Sequence, residues 1–177
     1  MRRPPSLAIM LAGALGFAAL SACQVELRRV NVREERLRAI DRAQAEQALE
    51  LTVVNEDGSI TLNSTRPEHL VAHLRHHLVL GSVDLIHDQL FADAAKQIYS
   101  DQRLDSHDAV HWLIANQRDV LLLLNRMTNG VSSPDVVSQP MSNGWRLRIA
   151  PHLERAFRFT TLDMVREDGQ FKLLLIS

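Results

Sequence analysis

The sequence predicts an α+β fold, with N-terminal helices packed on a C-terminal antiparallel four-stranded meander and an additional hairpin ahead of the helices. Three observations predict it. Apolar residues recur at helical spacing between Thr65 and Met127, the period falls from 3.6 to 2 after Gly130, and turn pairs punctuate the last third at Asn143-Gly144 and Asp168-Gly169. Helices first and strands last is the order of an α+β chain rather than of repeated βαβ units. A length of 177 residues with 46% hydrophobic and 23% charged side chains suits one folded domain and excludes a disordered or polytopic membrane chain. The 20 Lys and Arg against 21 Asp and Glu leave a net charge of −1, too balanced for a protein that coats nucleic acid. The single cysteine excludes an internal disulfide framework and a four-thiolate zinc site.

Residues 1–22 read as an export signal: Arg2 and Arg3, an apolar run from Leu7 to Ala22, then small residues. The run is short of the roughly 20 residues that span a bilayer as a helix, so no membrane-crossing segment is expected in the mature chain. Leu20-Ser21-Ala22-Cys23 resembles the lipobox of bacterial lipoproteins. The resemblance implies cleavage before Cys23, acylation of its sulfur and a mature chain anchored to a membrane by lipid. Chemistry agrees, because a thiolate is the side chain nucleophilic enough near neutral pH to take a glyceride as a thioether. Gln24 stands where the family pattern associates Asp with inner-membrane retention, which leans the expectation towards an outer-membrane anchor facing the periplasm.

Residues 23–50 read as the lipidated N-terminus and a tether helix, with Val30, Leu37, Ile40, Ala48 and Leu51 as a thin apolar series among Arg, Glu and Gln. The globular domain is expected over 51–177. It opens with Thr52–Asn55 and Ile60–Leu62 around Asp57-Gly58, a hairpin with a type I′ turn. Thr65 three residues before Glu68 predicts a capping box opening a helix that stops at Gly81. Short helices follow over Val83–Phe91 and Ala94–Tyr99. A long central helix, capped by Asp105 or Ser106, is expected to carry Val110, Leu113, Val120, Leu124 and Met127 into the core before Asn129-Gly130. The meander takes Val136–Met141, Trp145–Ile149, Ala156–Arg166 and Phe171–Ile176, with Pro140 marking an edge strand.

This run of helices followed by a meander, over roughly Thr65 to Ser177, resembles the NTF2-like fold, which implies a cone with a cavity under the helices. Arg146 and Arg148 alternate with Trp145, Leu147 and Ile149, so one sheet face carries both guanidinium groups, and Arg158 and Lys172 extend it if the register allows. With Trp112, these make Trp112, Trp145, Arg146, Arg148 and Arg158 the candidate ligand-binding residues. An anionic small molecule suits them if they line a cavity; if they face water they are a solvated surface that Asp163 and Glu167 partly satisfy, the expectation favoured because charge is seldom buried unpaired.

His69, His73, His76 and His77 crowd one helix, with His69 and His73 four apart beside an apolar face formed by Leu70, Leu74 and Leu78. His107 and His111 repeat that spacing. His69, His73, His107 and His111 are the metal-ligand candidates, although no carboxylate stands at the offset that HExxH supplies, and a partly exposed polar strip explains the first group. His87-Asp88 and His107-Asp108 are similar to the dyad of HD phosphohydrolases, an all-helical family that the β-rich last third argues against. No GxSxG, GxGxxG or P-loop is present, so neither a nucleophile elbow nor a cofactor is implied. The sequence therefore predicts an envelope lipoprotein acting as a non-enzymatic binding or accessory protein, partnered by the membrane through Cys23 and by another envelope protein. A receptor for a small anionic ligand and a histidine-dependent hydrolase are the alternatives.

Overall fold

Short β-rich runs with a glycine between them pair locally, and in the computed structural model they do so at the start of the body. The structure describes residues 51–177 together with Ala39, Glu46, Ala48 and Glu50, which are helical. The expected signal, the lipobox cysteine and most of the tether helix lie outside the described residues. The compact unit that contains the body spans Gln44–Ser177, and Ala48 within it is fully buried.

Strands β1 (Thr52–Val54) and β2 (Ile60–Leu62) are antiparallel, Thr52 opposite Leu62. Their turn is not the expected type I′. Gly58 alone takes a positive φ, 82°, and its N–H donates to the Asn55 carbonyl, while Asn55 N–H donates to Ser59. Asp57 accepts from the Ser59 N–H at 2.9 Å, which uses its carboxylate within the loop and leaves the left-handed position to glycine.

Helix α1 (Pro67–Leu80) follows, but without the capping box. Pro67 at the first helical position makes Arg66 the cap; Glu68 pairs with Arg66 at 2.7 Å, and Thr65 Oγ1 lies 3.3 Å from His69 Nδ1. Gly81, at φ 66°, ends the helix as expected, with Ser82 N–H closing back on His77 O. Eight residues of α1 are buried, among them Leu70, Val71, Leu74 and Leu78 and also His73, Arg75 and His77. A helix buried on most of its surface is the centre of the helical layer. This corrects the expectation that the later helix would be.

Helix α2 (Val83–Leu85) runs into a π-helical turn, Ile86–Leu90, closed by Phe91 N–H on Ile86 O. Phe91 then bridges to Leu173 in parallel, which ties this segment to the sheet edge. Helix α3 (Asp93–Asp101) has its first two N–H groups on the Glu167 carboxylate at 2.8 and 3.2 Å. The expected long helix from Ser106 to Asn129 is broken into α4 (Ser106–Ala115) and α5 (Gln117–Leu124). Asn116 is the cause: its backbone N–H and its side-chain Nδ2 both donate to Trp112 O, and this local satisfaction competes with the helical ladder. Asp105 caps α4, as expected, accepting from His107 N–H at 2.8 Å.

Strands β3 (Val136–Met141), β4 (Gly144–Ile149), β5 (Thr161–Glu167) and β6 (Gln170–Ile176) form the antiparallel sheet in the order β3-β4-β5-β6. Pro140 lies on edge strand β3. The third strand begins at Thr161 rather than Ala156, because Glu154–Ala156 forms a 3₁₀ turn. Asp168 and Gly169 both take positive φ, 50° and 78°, giving the two-residue turn that the first hairpin lacks. A bulge pairs Asp163 with Leu175 but Met164 with Leu173, so Leu174 has no opposite residue. Leu147, Ile149, Leu162, Met164, Leu173 and Ile176 form the buried face, and α1, α3 and the π-helical turn pack against β6. The chain is α+β, with helices on one side of a meander.

Candidate functional site

Strand alternation puts Arg146 and Arg148 on the face away from the helices and Trp145, half-buried, on the core side. Arg146 stands opposite Asp163 in the ladder and binds it with a two-point fork, Nε to Oδ1 at 2.7 Å and Nη2 to Oδ2 at 2.6 Å. That hydrogen bonding, with the adjacent negative charge, holds the guanidinium above its ordinary pKa. Only 3% of the Asp163 side chain is exposed, against 46% for Arg146, so the arginine is the lid on a buried carboxylate. Arg146→Met is expected to destabilise the body at neutral pH, because it strands that carboxylate without its donor; a lower midpoint in denaturant titration checks it. Arg148 pairs with Glu154 at 2.8 Å, and Lys172 lies near Asp93 and Glu167 at 3.6 and 3.5 Å.

Arg158 is elsewhere. Its Nη1 donates to Asn116 Oδ1 at 2.7 Å and reaches Asp119 at 3.3 Å, and its guanidinium carbon sits 5.1 Å from the Phe159 ring centroid. Phe159 meets Trp112 edge-on at 5.2 Å. The structure thus brings Trp112 and Arg158 together through Phe159 and keeps them apart from Trp145, Arg146 and Arg148. All three arginines are paired with carboxylates, so the five candidates do not form one anion-binding cluster.

Trp112, 43% exposed, also lines an apolar pocket with Phe91, Tyr99, Leu113 and the strand residues Leu173 to Ile176. The pocket has a volume of about 90 Å³. Pockets for metabolite-sized ligands run to several hundred Å³. Exposed Leu175 borders it.

The four histidine candidates also separate. His73 is fully buried and His77 nearly so, with ring centroids 6.2 Å apart, which replaces the expected partly exposed strip. Neither ring nitrogen of either residue has a well-formed hydrogen bond. Burial is the main cause that pushes each pKa down to about 4, so both are neutral at pH 7. His69, also lowered by burial, sits a turn before them, and His111 faces solvent on α4. His107 belongs to a different group. Its ring stacks on that of His87, centroids 3.6 Å apart and planes 17° apart. His87 Nδ1 is 2.8 Å from Asp88 Oδ1, His87 Nε2 is 2.8 Å from Ser106 Oγ, and His107 Nδ1 is 3.1 Å from Asp105 Oδ1. The His107 backbone N–H, then its ring, hold the Asp105 carboxyl below the usual range. The two His-Asp dyads of the sequence are thus joined at their histidines, but Asp105, two residues before His107, replaces Asp108 as its partner. His87 and Ser106 lie 19 positions apart in the chain, and only the π turn and the start of α4 bring them into contact.

Comparison with protein-family models, with curated proteins and with solved structures finds no match to this chain. The likeness to the NTF2-like fold therefore rests on element order alone.

Proposed function

We propose that this chain is a lipid-anchored cell-envelope protein whose body binds another envelope protein without catalysing a reaction. The observation that carries the reading is Leu20-Ser21-Ala22-Cys23 at the end of an arginine-led apolar run. Among the described residues no helix is long and apolar enough to cross a membrane, so attachment in this reading rests on acyl chains at Cys23. Gln24 favours the outer membrane over the inner one. The role rests on the pocket beside β6: its apolar walls and its small volume suit one inserted apolar side chain of a protein partner better than a metabolite. The paired arginines weigh against a small anionic ligand at the residues first proposed for one.

Cys23→Ser is expected to move the protein from the membrane fraction to the released fraction, with loss of the lipid mass from its N-terminal peptide. Retention on the membrane by the variant would remove the anchor. A photo-crosslinking residue at Leu175 is expected to give one discrete protein adduct in intact envelopes, absent when the same residue replaces exposed Val54. No adduct at Leu175, or the same adduct from both positions, would remove the docking role.

A further inference from the structure

The geometry points to a binding site for a divalent transition-metal ion of the zinc class, built by His87, Asp88 and His107. One ligand atom from each lies within 4.8 Å of the others, the only such grouping of three among the described residues. Imidazole nitrogen with carboxylate oxygen is the donor set of zinc and its neighbours rather than of calcium or magnesium.

The surroundings orient the donors. Asp105 takes the Nδ1–H of His107, which leaves His107 Nε2 as a bare lone pair, the arrangement that orients metal-bound imidazoles. Ser106 Oγ meets His87 Nε2, and a hydroxyl both donates and accepts there. A proton on His87 Nδ1 makes the 2.8 Å bond to Asp88 Oδ1; an ion that displaces it leaves His87 with its proton on Nε2, donated to Ser106 Oγ. His87 is the rigid member, with 12% of its side chain exposed, held in a π-helical turn of the kind that aims side chains at sites. Asp88 is open to solvent and His107 half-open, so both move the short distance from a spread of 4.8 Å to the roughly 3.3 Å between neighbouring ligands of a tetrahedral zinc ion.

The two rings stack face to face, centroids 3.6 Å and planes 17° apart, so their lone pairs lie in near-parallel planes, and His107 turns off the stack to share one ion with His87. The positive end of α4 opposes a cation, and the Asp105 cap and the Asp88 carboxylate offset it. Water completes the coordination on the open side.

Titration of the full chain in detergent with Zn²⁺, against a chromophoric chelator, tests the site. Wild type is expected to take up one ion per chain, and Co²⁺ in its place is expected to give the visible absorption of a tetrahedral centre. His107→Ala and Asp88→Asn, both at accessible positions, are expected to weaken binding tenfold or more with an unchanged circular dichroism spectrum. His111→Ala, on the same helix, is expected to leave it unchanged. A wild-type chain that takes up no Zn²⁺, or binding equally tight in both His107→Ala and Asp88→Asn, would overturn the assignment.

Discussion

Gly144→Ala is expected to lower the stability of the body by about 3 kcal/mol or more, a fall of ~10 °C in the melting temperature for a domain of this size. The reason is the neighbouring backbone. A methyl group at Gly144 would fall 2.8 Å from the Val165 Cα and nearer still to the Met164 carbonyl, and neither is the far end of a flexible side chain. Relief requires β4 to move away from β5, where Gly144 faces Val165 and Asn143 O accepts from Arg166 N–H at 2.7 Å. The whole inner face, including Leu147 against Leu162, shares that register. Gly169→Ala is the contrast, since a methyl there meets nothing and costs only the positive φ of 78°, about 1 kcal/mol. Thermal melts of both variants decide the matter. A Gly144→Ala melting temperature equal to that of wild type would show that β4 and β5 are not so closely apposed.

Acidification is expected to destabilise the protein between pH 6.5 and about 4 through His73 and His77. Both have a folded-state pKa near 4, below the ordinary 6.5, so the unfolded chain takes up protons first as the pH falls. Stability from this source is complete above 6.5, declines as the pH drops through the window, and changes no further below about 4. Each group contributes a slope of up to roughly 1.4 kcal/mol per pH unit, and up to roughly 3 kcal/mol over the window. The neighbours add to the effect: His76 meets His77 edge-on at 5.0 Å, and His69 also repels a proton on His73, while the Asn63 carbonyl favours one. Urea titrations of wild type from pH about 7 down to about 4.5 should show the midpoint falling. In the double variant His73→Leu, His77→Leu the fall is expected to shrink by most of its size; an identical slope in the two proteins would assign acid sensitivity to other groups.

The elements were legible where local chemistry decides them. Gly81 ends α1, Asp105 caps α4, Pro140 marks the edge strand and Asp168-Gly169 makes a tight turn, because each depends on a side chain and the backbone within a few residues of it. The misreadings share a cause. The Thr65 cap lost to Pro67, the type I′ turn lost to a loop that Ser59 and Asp57 close, and the long helix lost to Asn116. In each case two local motifs competed, and hydrophobic spacing does not rank them.

The candidate sites were less legible, because function here depends on which distant segments meet. Alternation put Arg146 and Arg148 on one face, but it took the register to place Asp163 under Arg146. Spacing put four histidines on α1, but only packing removed His73 and His77 from water and moved their protonation out of the neutral range. The helical pattern of α1 marks an apolar face without saying that the opposite face is covered too.

By itself, the sequence determined the α+β class, the four-stranded meander and the residues at which most elements stop, since periodicity and turn chemistry are properties of neighbours along the chain. Only the tertiary structure decided that α1 is the buried centre, that the three candidate arginines are paired, and that His87 and His107 stack between two carboxylates. Apart from the local Arg148–Glu154 pair, those outcomes depend on contacts such as Arg146–Asp163, His87–Ser106 and Arg158–Asn116, between residues 17 to 42 apart, whose free energy is set by burial and distance once the layers have packed.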